Sequence, residues 1–333
     1  MPHAQNDNQR RVLVLIPCFN DWEPLALVLE QLDRALSRCD AEVSALVVDD
    51  ASTRQLSSEL PAFDHLRDVS VLPLRRNLGH QRAIAVGLAY VEQNIPCDAV
   101  LVMDADGEDG PADVPRLIAA VRSSEEVVFA ERTRRAEGTM FRALYVVYRA
   151  LHRLLTGRGV RIGNFSVIPH GALQRLVAVS ELWNHYAGAV IRARIPYRML
   201  ATHRCKRLAG RSHMNLVSLV THGLSAMSVQ LDVIGVRLLL ANALCWFAMA
   251  LALSVVLGIK VFTDLAIPGW ASTISMLLAI LMTQSALLAL GFVFVTLQSR
   301  AAHGFLPLRD YVYYVRGVVP WQTAAKPRDS ISA

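Results

Sequence analysis

Two long uncharged runs near the carboxyl end constrain the fold more than any other feature of this sequence. Leu238 to Ile259 contains no charged residue, and neither does Leu265 to Ser299. A helix that crosses a bilayer needs roughly 20 consecutive apolar residues, so both runs are long enough. The alternative is a pair of core helices in a soluble domain, which rarely stay apolar on every face for this length. The sequence therefore predicts two transmembrane helices within residues 236–299.

Basic residues flank the outer ends of the two runs. Arg237 precedes the first run and Arg300 follows the second, whereas the loop between them carries only Lys260 and Asp264. The positive-inside rule then places both termini in the cytosol and predicts a multi-pass protein of the cytoplasmic membrane. The first eleven residues are polar and lack an apolar core, so we do not expect them to form a signal peptide.

Short aliphatic runs alternate with amphipathic stretches through the N-terminal part of the chain. The pattern predicts strands at residues 11–16, 43–48, 69–72, 99–103 and 127–129. Helices are expected to begin near Glu23, with Asp21 as the cap, after Gly79, and over Pro111 to Val121. Strands that alternate with helices indicate an α/β fold, a mostly parallel sheet with helices on both faces.

Polar side chains follow several predicted strands at the point where each strand ends. Asp21 follows the first strand, Asp49 and Asp50 end the second, and Asp104 to Asp109 follows the fourth. In open parallel sheets, ligands bind at the carboxyl ends of the strands. We therefore expect one binding site at this edge.

The segment Asp104-Ala-Asp106-Gly-Glu108-Asp109 is the candidate metal site. Carboxylate oxygens are the ligands that Mg²⁺ and Mn²⁺ prefer, with Asp106 and Glu108 as the candidate ligands here. Such an ion can bridge two phosphates and neutralise a leaving diphosphate. An Asp-x-Asp triplet alone is weak evidence, and a cap cluster before the helix at Pro111 is the alternative.

Two further segments offer contacts to a nucleotide. A carboxylate at Asp50 can accept a hydrogen bond from a base or a ribose, although solvated loop acids are the alternative. Asn77-Leu-Gly79 opens a helix, where glycine lets the backbone approach a ligand and the helix N-terminus favours an anion. A simple capping turn is an equally fair explanation of that segment.

The arginines are distributed unevenly along a chain with a net charge of +6. No acidic residue occurs from Leu182 to Leu231, just before the first apolar run. This stretch contains the basic residues Arg192, Arg194, Arg198, Arg204, Lys206, Arg207 and Arg211. Such an unbalanced field can attract lipid head groups or form a phosphate pocket at the membrane surface. Arg132 and Arg142 belong to a second basic group. Nucleic acid is a poorer partner, because the lipid surface is closer.

Five motifs in order resemble one family of enzymes. They are Pro17-Cys-Phe19-Asn-Asp21, Asp49-Asp50-Ala-Ser52, Asn77-Leu-Gly79, Asp104-Ala-Asp106 and Arg204-x-x-Arg207-x-x-Gly210-x-Ser212. The set resembles the GT-A glycosyltransferases of family 2, specifically the polyprenyl-phosphate glycosyltransferases, which include the bactoprenol glucosyltransferases and dolichol-phosphate mannose synthase. The resemblance covers roughly residues 10–315 and implies a Rossmann-like GT-A domain.

The resemblance also implies roles for single residues. Residues matching Pro17, Phe19, Asp21 and Asp50 would hold the base and ribose, and Asp104 and Asp106 the ribose and metal. Arg132, Arg142, Arg204, Arg207 and Ser212 would bind the phosphates of donor and acceptor. Two positions depart from the family pattern, with Glu108 in place of glutamine and His213 in place of lysine. The processive Gln-x-x-Arg-Trp motif is absent, which favours a single transfer.

These observations predict a membrane enzyme that moves one hexose from a UDP- or GDP-sugar to polyprenyl phosphate with inversion. Its predicted parts are a GT-A domain over 1–210, a juxtamembrane segment over 211–235, two spans over 236–299 and an interfacial tail over 300–333. Within the tail, Phe305 to Val315 either lies on the membrane or packs on the protein. The alternatives are a transferase with a lipid or glycan hydroxyl as acceptor, and a non-catalytic nucleotide-binding protein. The oligomeric state and the sugar are left open.

Overall fold

A computed structural model describes residues 9–54, 60–132, 150, 153–157, 162–203, 205–209, 223–225, 227–263, 268–301 and 304–321. The chain divides into two compact units. The first contains the N-terminal α/β segment together with residues from 305 onward, and the second contains residues 144–159 and 230–304.

Within the described residues, the first unit forms one eight-stranded mixed sheet. Its strands are β1 Arg11–Cys18, β2 Glu42–Asp49, β3 Leu66–Pro73, β4 Ala99–Val102, β5 Val127–Arg132, β6 Ser166–Pro169, β7 Tyr197–Thr202 and β8 Val319–Pro320. The strand order is β7-β5-β6-β4-β1-β2-β3-β8. The central strands β4, β1, β2 and β3 run parallel, as does β5 with β7, whereas β6 and β8 pair antiparallel with their neighbours.

Helices cover both faces of this sheet, as the alternation of strands and helices predicted. They are α1 Trp22–Leu36, α2 His80–Asn94, α3 Val114–Ala119, α4 His170–Val177 and α5 Tyr186–Arg192, with a four-residue helix at Pro307–Asp310. Short 3-10 turns lie at Pro111–Asp113, Ser180–Trp183 and Tyr311–Tyr313.

The core has two layers because successive strand side chains point to opposite faces. Leu15 of β1 packs with Ile84 of α2 and Leu173 of α4, while Val14 packs with Leu29 of α1 on the other face. Burying one such aliphatic side chain contributes about 1.5–3 kcal/mol. The strands buried on both faces therefore hold the carboxyl edge of the sheet rigidly in place.

The helix predicted over Pro111 to Val121 is shorter than expected. It consists of the 3-10 turn Pro111–Asp113 followed by α3, Val114–Ala119. Strands β6, β7 and β8 were not predicted, since each is short and lacks a long aliphatic run.

Residues 305–321 belong to the first unit and pack on its sheet and helices. Strand β8 pairs with β3, and the Trp321 ring meets the edge of Trp22 with centroids 5.6 Å apart. Phe305 stacks on Trp183 at 3.7 Å. Of the two alternatives for Phe305 to Val315, the structure therefore shows the one in which the segment packs on the protein.

The second unit contains two long helices, α6 Leu231–Phe262 and α7 Trp270–Ala301. Trp246 donates to Ser285 Oγ at 2.7 Å, which joins the middle of the two helices. Both are long and apolar enough to cross a membrane, with a mean hydropathy of 2.2 in their most apolar windows. Only 6% of the most apolar segment of α6 and 0% of that of α7 are buried, so their side chains lack the packing of soluble core helices.

Candidate active site

The loops after β1, β2 and β4 meet at one edge of the sheet. Cys18 at the end of β1 lies beside Asp49 at the end of β2, and Leu15 lies beside Val102 of β4. Because these strands are parallel, the polar segments after all three emerge on the same side. The predicted convergence of Asp21, Asp50 and Asp104 at this edge is therefore what the structure shows.

Asn20 joins the first two of these loops. It adopts a left-handed backbone with φ of 58°, a conformation that asparagine tolerates better than most residues. Its side-chain oxygen accepts hydrogen bonds from the backbone N–H groups of Thr53 and Arg54, both at 2.9 Å. Its own N–H donates to Ser52 Oγ at 2.8 Å. These bonds fix Phe19, which is exposed beside them, and Asp21 at the rim of the site.

Asp50 is buried and binds backbone. Its two carboxylate oxygens accept hydrogen bonds from the N–H groups of Leu78, at 2.6 Å, and Gly79, at 2.8 Å. Burial raises the pKa of Asp50, and these two N–H groups oppose that rise. The carboxylate therefore holds the Asn77–Gly79 loop at the start of α2, a structural role that the sequence did not indicate.

Gly79 turns the chain into α2. Its φ of 89° is open to glycine at little cost, and helix α2 begins at the next residue, His80. A Cβ at this position would meet no atom within 4 Å, so the backbone here borders open space. Asn77 is exposed beside it. Pro17, by contrast, is a buried residue of β1.

The acidic loop after β4 is organised by its own backbone. Asp109 is 1% exposed and accepts a hydrogen bond from the N–H of Asp104 at 3.0 Å. Asp106 accepts one from the N–H of Glu108 at 2.9 Å. Burial, followed by the negative charge of Asp104, raises the pKa of Asp106. The cap position before the turn at Pro111 is occupied by Gly110, which has no side chain to cap it.

His80 is a site residue that sequence reasoning missed. Its Nε2 lies 3.2 Å from Asp104 Oδ1 and 2.9 Å from Asn164 Nδ2. Desolvation lowers the pKa of His80, but the charge of Asp104 and its hydrogen bond outweigh this effect, so the pKa is raised. Asn164 Oδ1 accepts a hydrogen bond from Gln81 at 3.1 Å, and Gln81 accepts one from the N–H of Tyr186 at 2.8 Å. A chain of polar groups thus links helix α5 to the acidic loop.

Arg207 joins the ends of β1 and β4. Its Nη2 donates to Asp21 Oδ1 at 2.7 Å and its Nη1 to Asp106 Oδ2 at 3.1 Å. Asp21 was predicted to cap α1, but its side chain makes no cap hydrogen bond and pairs with this arginine. The sequence grouped Arg207 with phosphate-binding residues and gave no sign of either carboxylate partner.

The positive charge of the arginine-rich stretch has more acidic counter-ions in the fold than the sequence indicated. Arg192 pairs with Glu181 at 3.2 Å and Arg198 with Glu126 at 3.3 Å. Both carboxylates come from outside the acid-free stretch, as do the partners of Arg207. Folding therefore neutralises three of the charges that the sequence left without counter-ions.

Four predicted phosphate-binding residues cannot be placed by their side chains. Arg142, Arg204 and Ser212 lie outside the described residues. Arg132 ends β5, where its backbone lies beside Thr202 of β7, and its side chain is also outside the description. Their roles remain predictions.

The carboxylates at this edge suit a divalent cation whose ligand shell the protein would complete only in part. No group of three His, Cys, Asp or Glu side chains in the described residues is arranged to hold a metal alone. Mg²⁺ typically takes one or two carboxylates and completes its shell with substrate phosphates and water. Asp106, a largely buried carboxylate beside Asp104, is a suitable oxygen donor for that arrangement. Glu108 is half-buried two residues further on.

A comparison with known protein families agrees with this fold. The model of glycosyl transferase family 2 matches residues 13–183, more than half of the chain. The chain therefore belongs to family 2, and the GT-A-like mixed α/β fold that the motifs predicted is confirmed. It is a glycosyltransferase.

Named relatives lie within the same class. The chain is 25% identical over 287 residues to the uncharacterized glycosyltransferase YkcC of Bacillus subtilis strain 168, covering 84% of this chain and 86% of the other. It is 28% identical over 152 residues to the undecaprenyl-phosphate 4-deoxy-4-formamido-L-arabinose transferase of Proteus mirabilis strain HI4320, covering 45% of each. The alignment thus spans less than half the length of that transferase.

Solved structures of glucosyl-3-phosphoglycerate synthase from Mycobacterium tuberculosis also resemble the chain. The complex with Mn²⁺, uridine diphosphate and glucosyl-3-phosphoglycerate has a TM-score of 0.48 and 16% identity. It covers 68% of this chain and 80% of that one.

Proposed function

We propose that the protein transfers one hexose from a UDP- or GDP-sugar to a polyprenyl phosphate, such as undecaprenyl phosphate, at the cytoplasmic face of the membrane. The observation that carries the proposal is Arg207, a cation that lies against the carboxylates of a family 2 site. Relatives named as undecaprenyl-phosphate transferases support this acceptor class. The exposed apolar helices α6 and α7 suit an enzyme whose acceptor is anchored in a bilayer.

The donor is proposed to bind at the carboxyl ends of β1, β2 and β4. Pro17, Phe19 and Asp21 border the base and ribose on one side, and the loop Asn77–Gly79, held by Asp50, borders them on the other. Asp104, which follows β4, would contact the ribose. Asp106 and Glu108 would be ligands of the metal. A divalent cation bound there would neutralise the leaving diphosphate.

The chemistry then depends on positioning and charge. A phosphate monoester is already largely anionic near neutral pH, since its second pKa is about 6, so it needs little help from a general base. Arg207, with Arg132, Arg142, Arg204 and Ser212, would hold the phosphates of donor and acceptor. Attack on the face opposite the leaving diphosphate inverts the anomeric carbon. Most of the rate enhancement then comes from orientation and from stabilising the developing charge.

The packing of residues 305–321 supports the proposed topology. Because these residues and β1 to β7 belong to one compact unit, the chain that leaves through α6 must return through α7. An even number of crossings follows if both helices span the bilayer. The basic residues that flank the two apolar runs favour a cytosolic location for that unit.

The test is a transfer assay on the full chain in detergent. It combines a panel of UDP- and GDP-sugars with Mn²⁺ or Mg²⁺ and measures release of the nucleoside diphosphate. Undecaprenyl phosphate is compared with undecaprenol and with a diacylglycerol. We expect release only with the phosphate, and an inverted anomeric configuration in the product.

Two variants separate the site from the fold in this assay. Asp106→Asn should abolish release, whereas Asp113→Asn, the same change at a carboxylate paired with Arg116, should leave it intact. Equal or greater release with a hydroxyl acceptor would contradict the proposal. Binding of donor without release from any acceptor would favour a nucleotide-binding protein.

A further inference from the structure

Arg207 is surrounded by hydrogen-bond acceptors. Its three side-chain nitrogens all donate: Nη2 to Asp21, Nη1 to Asp106, and Nε to the carbonyl of Ala209 at 3.0 Å. The side chain is only 17% exposed. A guanidinium is planar and permanently charged, so it spans two carboxylates in a way that lysine does not.

The surroundings explain why a cation is needed there. Asp104 and Asp109 lie in the same loop as Asp106, and Asp21 approaches from β1. Arg207 supplies positive charge at the carboxylate that the proposed metal would use.

The backbone around Arg207 is tied to the acidic loop on both sides. The N–H of Cys205 donates to the carbonyl of Glu108, and that of Leu208 to the carbonyl of Asp106, both at 3.0 Å. The Leu208 side chain fills the space beside Gly107, where a Cβ would come within 2.5 Å of it. The guanidinium can therefore change partners by side-chain rotation while its backbone stays in place.

We propose that Arg207 is the internal counter-ion of Asp21 and Asp106 and competes with a divalent cation for Asp106. Oδ2 of Asp106 cannot accept the hydrogen bond from Arg207 and coordinate a cation at the same time, because the two positive charges would repel each other. Arg207, displaced from Asp106 by a bound cation, would then be available to bind an anionic phosphate. This last step rests on the proposed function, whereas the competition does not.

The test measures Mn²⁺ binding to the full chain in detergent, without donor or acceptor, by calorimetry and by the electron paramagnetic resonance signal of free Mn²⁺. Removing the competing charge in Arg207→Met should tighten Mn²⁺ binding at least about fivefold relative to the unmodified chain. Arg207→Lys keeps the charge but loses the fork, so we expect an intermediate value. Arg192→Met, which removes the partner of Glu181, is the matched control and should bind Mn²⁺ as the unmodified chain does.

A second measurement guards against a folding defect in Arg207→Met. Thermal unfolding is followed with Mn²⁺ and with a chelator, and Arg207→Gln is measured beside Arg207→Met. We expect the Mn²⁺-dependent rise in melting temperature to be larger in both variants than in the unmodified chain. Unchanged or weaker Mn²⁺ binding on loss of Arg207, or no Mn²⁺ binding in any protein, would overturn the competition. The transfer assay, which measures release of nucleoside diphosphate, tests the proposed function separately.

Discussion

His80 Nε2 lies 3.2 Å from Oδ1 of Asp104, so the first residue of α2 reaches the acidic loop after β4. The same nitrogen lies 2.9 Å from Asn164 Nδ2. The N–H of Tyr186 fixes the orientation of the Gln81 amide, which in turn directs the Asn164 donor group toward His80. One ring nitrogen therefore faces a carboxylate that accepts and an amide that donates. We infer that His80 positions Asp104 for the donor.

Replacing His80 by leucine should impair transfer more than replacing it by glutamine. Glutamine has an N–H group for Asp104 and a separate carbonyl for Asn164, whereas leucine has neither. A hydrogen bond to a charged group is worth about 1.5–3 kcal/mol, so His80→Leu should lower kcat/KM about 10- to 100-fold. The measurement is nucleoside diphosphate release against donor concentration.

His80→Gln should retain kcat/KM within about threefold if the glutamine N–H donates to Asp104 in place of the imidazole. His65→Leu, a change at an exposed histidine before β3, serves as the control for the substitution itself. Equal losses in His80→Leu and His80→Gln would argue against positioning through these hydrogen bonds.

Gly107→Ala should destabilise the acidic loop more than Gly79→Ala destabilises the start of α2. Both glycines have positive φ, at 82° and 89°, so each alanine costs about 1–3 kcal/mol of backbone strain. Only at Gly107 does the new Cβ also collide with Leu208, since nothing lies within 4 Å at Gly79. Thermal unfolding of the two variants measures the difference.

The collision has its own control in a double substitution. Leu208→Ala removes the atoms that the Gly107 Cβ would meet, so Gly107→Ala should cost less in that background. Additive losses in the melting temperature would mean that the acidic loop and residues 205–209 are not packed as described.

Much of the site could be predicted because its signals are local. The aliphatic runs of β1, β2 and β4 each end in a polar residue, and parallel strands bring such ends together. The partners of these residues could not be predicted, since they are far away in sequence. Arg207 meets Asp106 across 101 residues and Asp21 across 186. Asp21 was wrongly predicted as a cap for this reason: its position favours a helix cap, but the partly buried Arg207 offers a stronger partner.

The strands show the same difference between local signals, which could be predicted, and distant pairing, which could not. Strand β7 was missed because half of its residues are exposed and its run contains Arg198. Strand β6 has only four residues and lies antiparallel between β4 and β5, an insertion that alternation of strands and helices does not predict. Strand β8 consists of two residues that become a strand only through pairing with β3.

Cys18 and Cys97 should resist alkylation in the folded protein. Burial raises the pKa of both thiols to about 12, so little thiolate is present at pH 8. The attacking species is the thiolate, and its fraction falls by roughly three orders of magnitude for a shift of this size. Cys205 is exposed and should react first with iodoacetamide. Mass spectrometry of tryptic peptides after brief labelling checks the order.

The same two thiols predict how stability depends on alkaline pH. Their folded pKa lies above the unfolded value of about 8.5, so their contribution is fully present below that value. It is lost as the pH rises from there toward 12, because the unfolded chain then releases protons that the folded chain retains. The urea midpoint should fall between pH 8 and pH 10, and Cys18→Ala with Cys97→Ala should reduce that fall. If the urea midpoint of the double variant fell with pH as steeply as that of the unmodified chain, the two thiols would not be the cause.

Trp321→Ala should destabilise the N-terminal unit although it lies beyond both apolar helices. Trp321 is 6% exposed and packs edge-to-face on Trp22. Its backbone N–H donates to the carbonyl of Val69 at 2.9 Å. Truncating a buried tryptophan costs about 3–5 kcal/mol. Tyr313→Ala, at a tail residue that is 72% exposed, should cost little. Trp22→Ala combined with Trp321→Ala should lose less than the two single changes together, because they share one contact. Equal melting temperatures for Trp321→Ala and Tyr313→Ala would show that residues 305–321 do not complete the sheet.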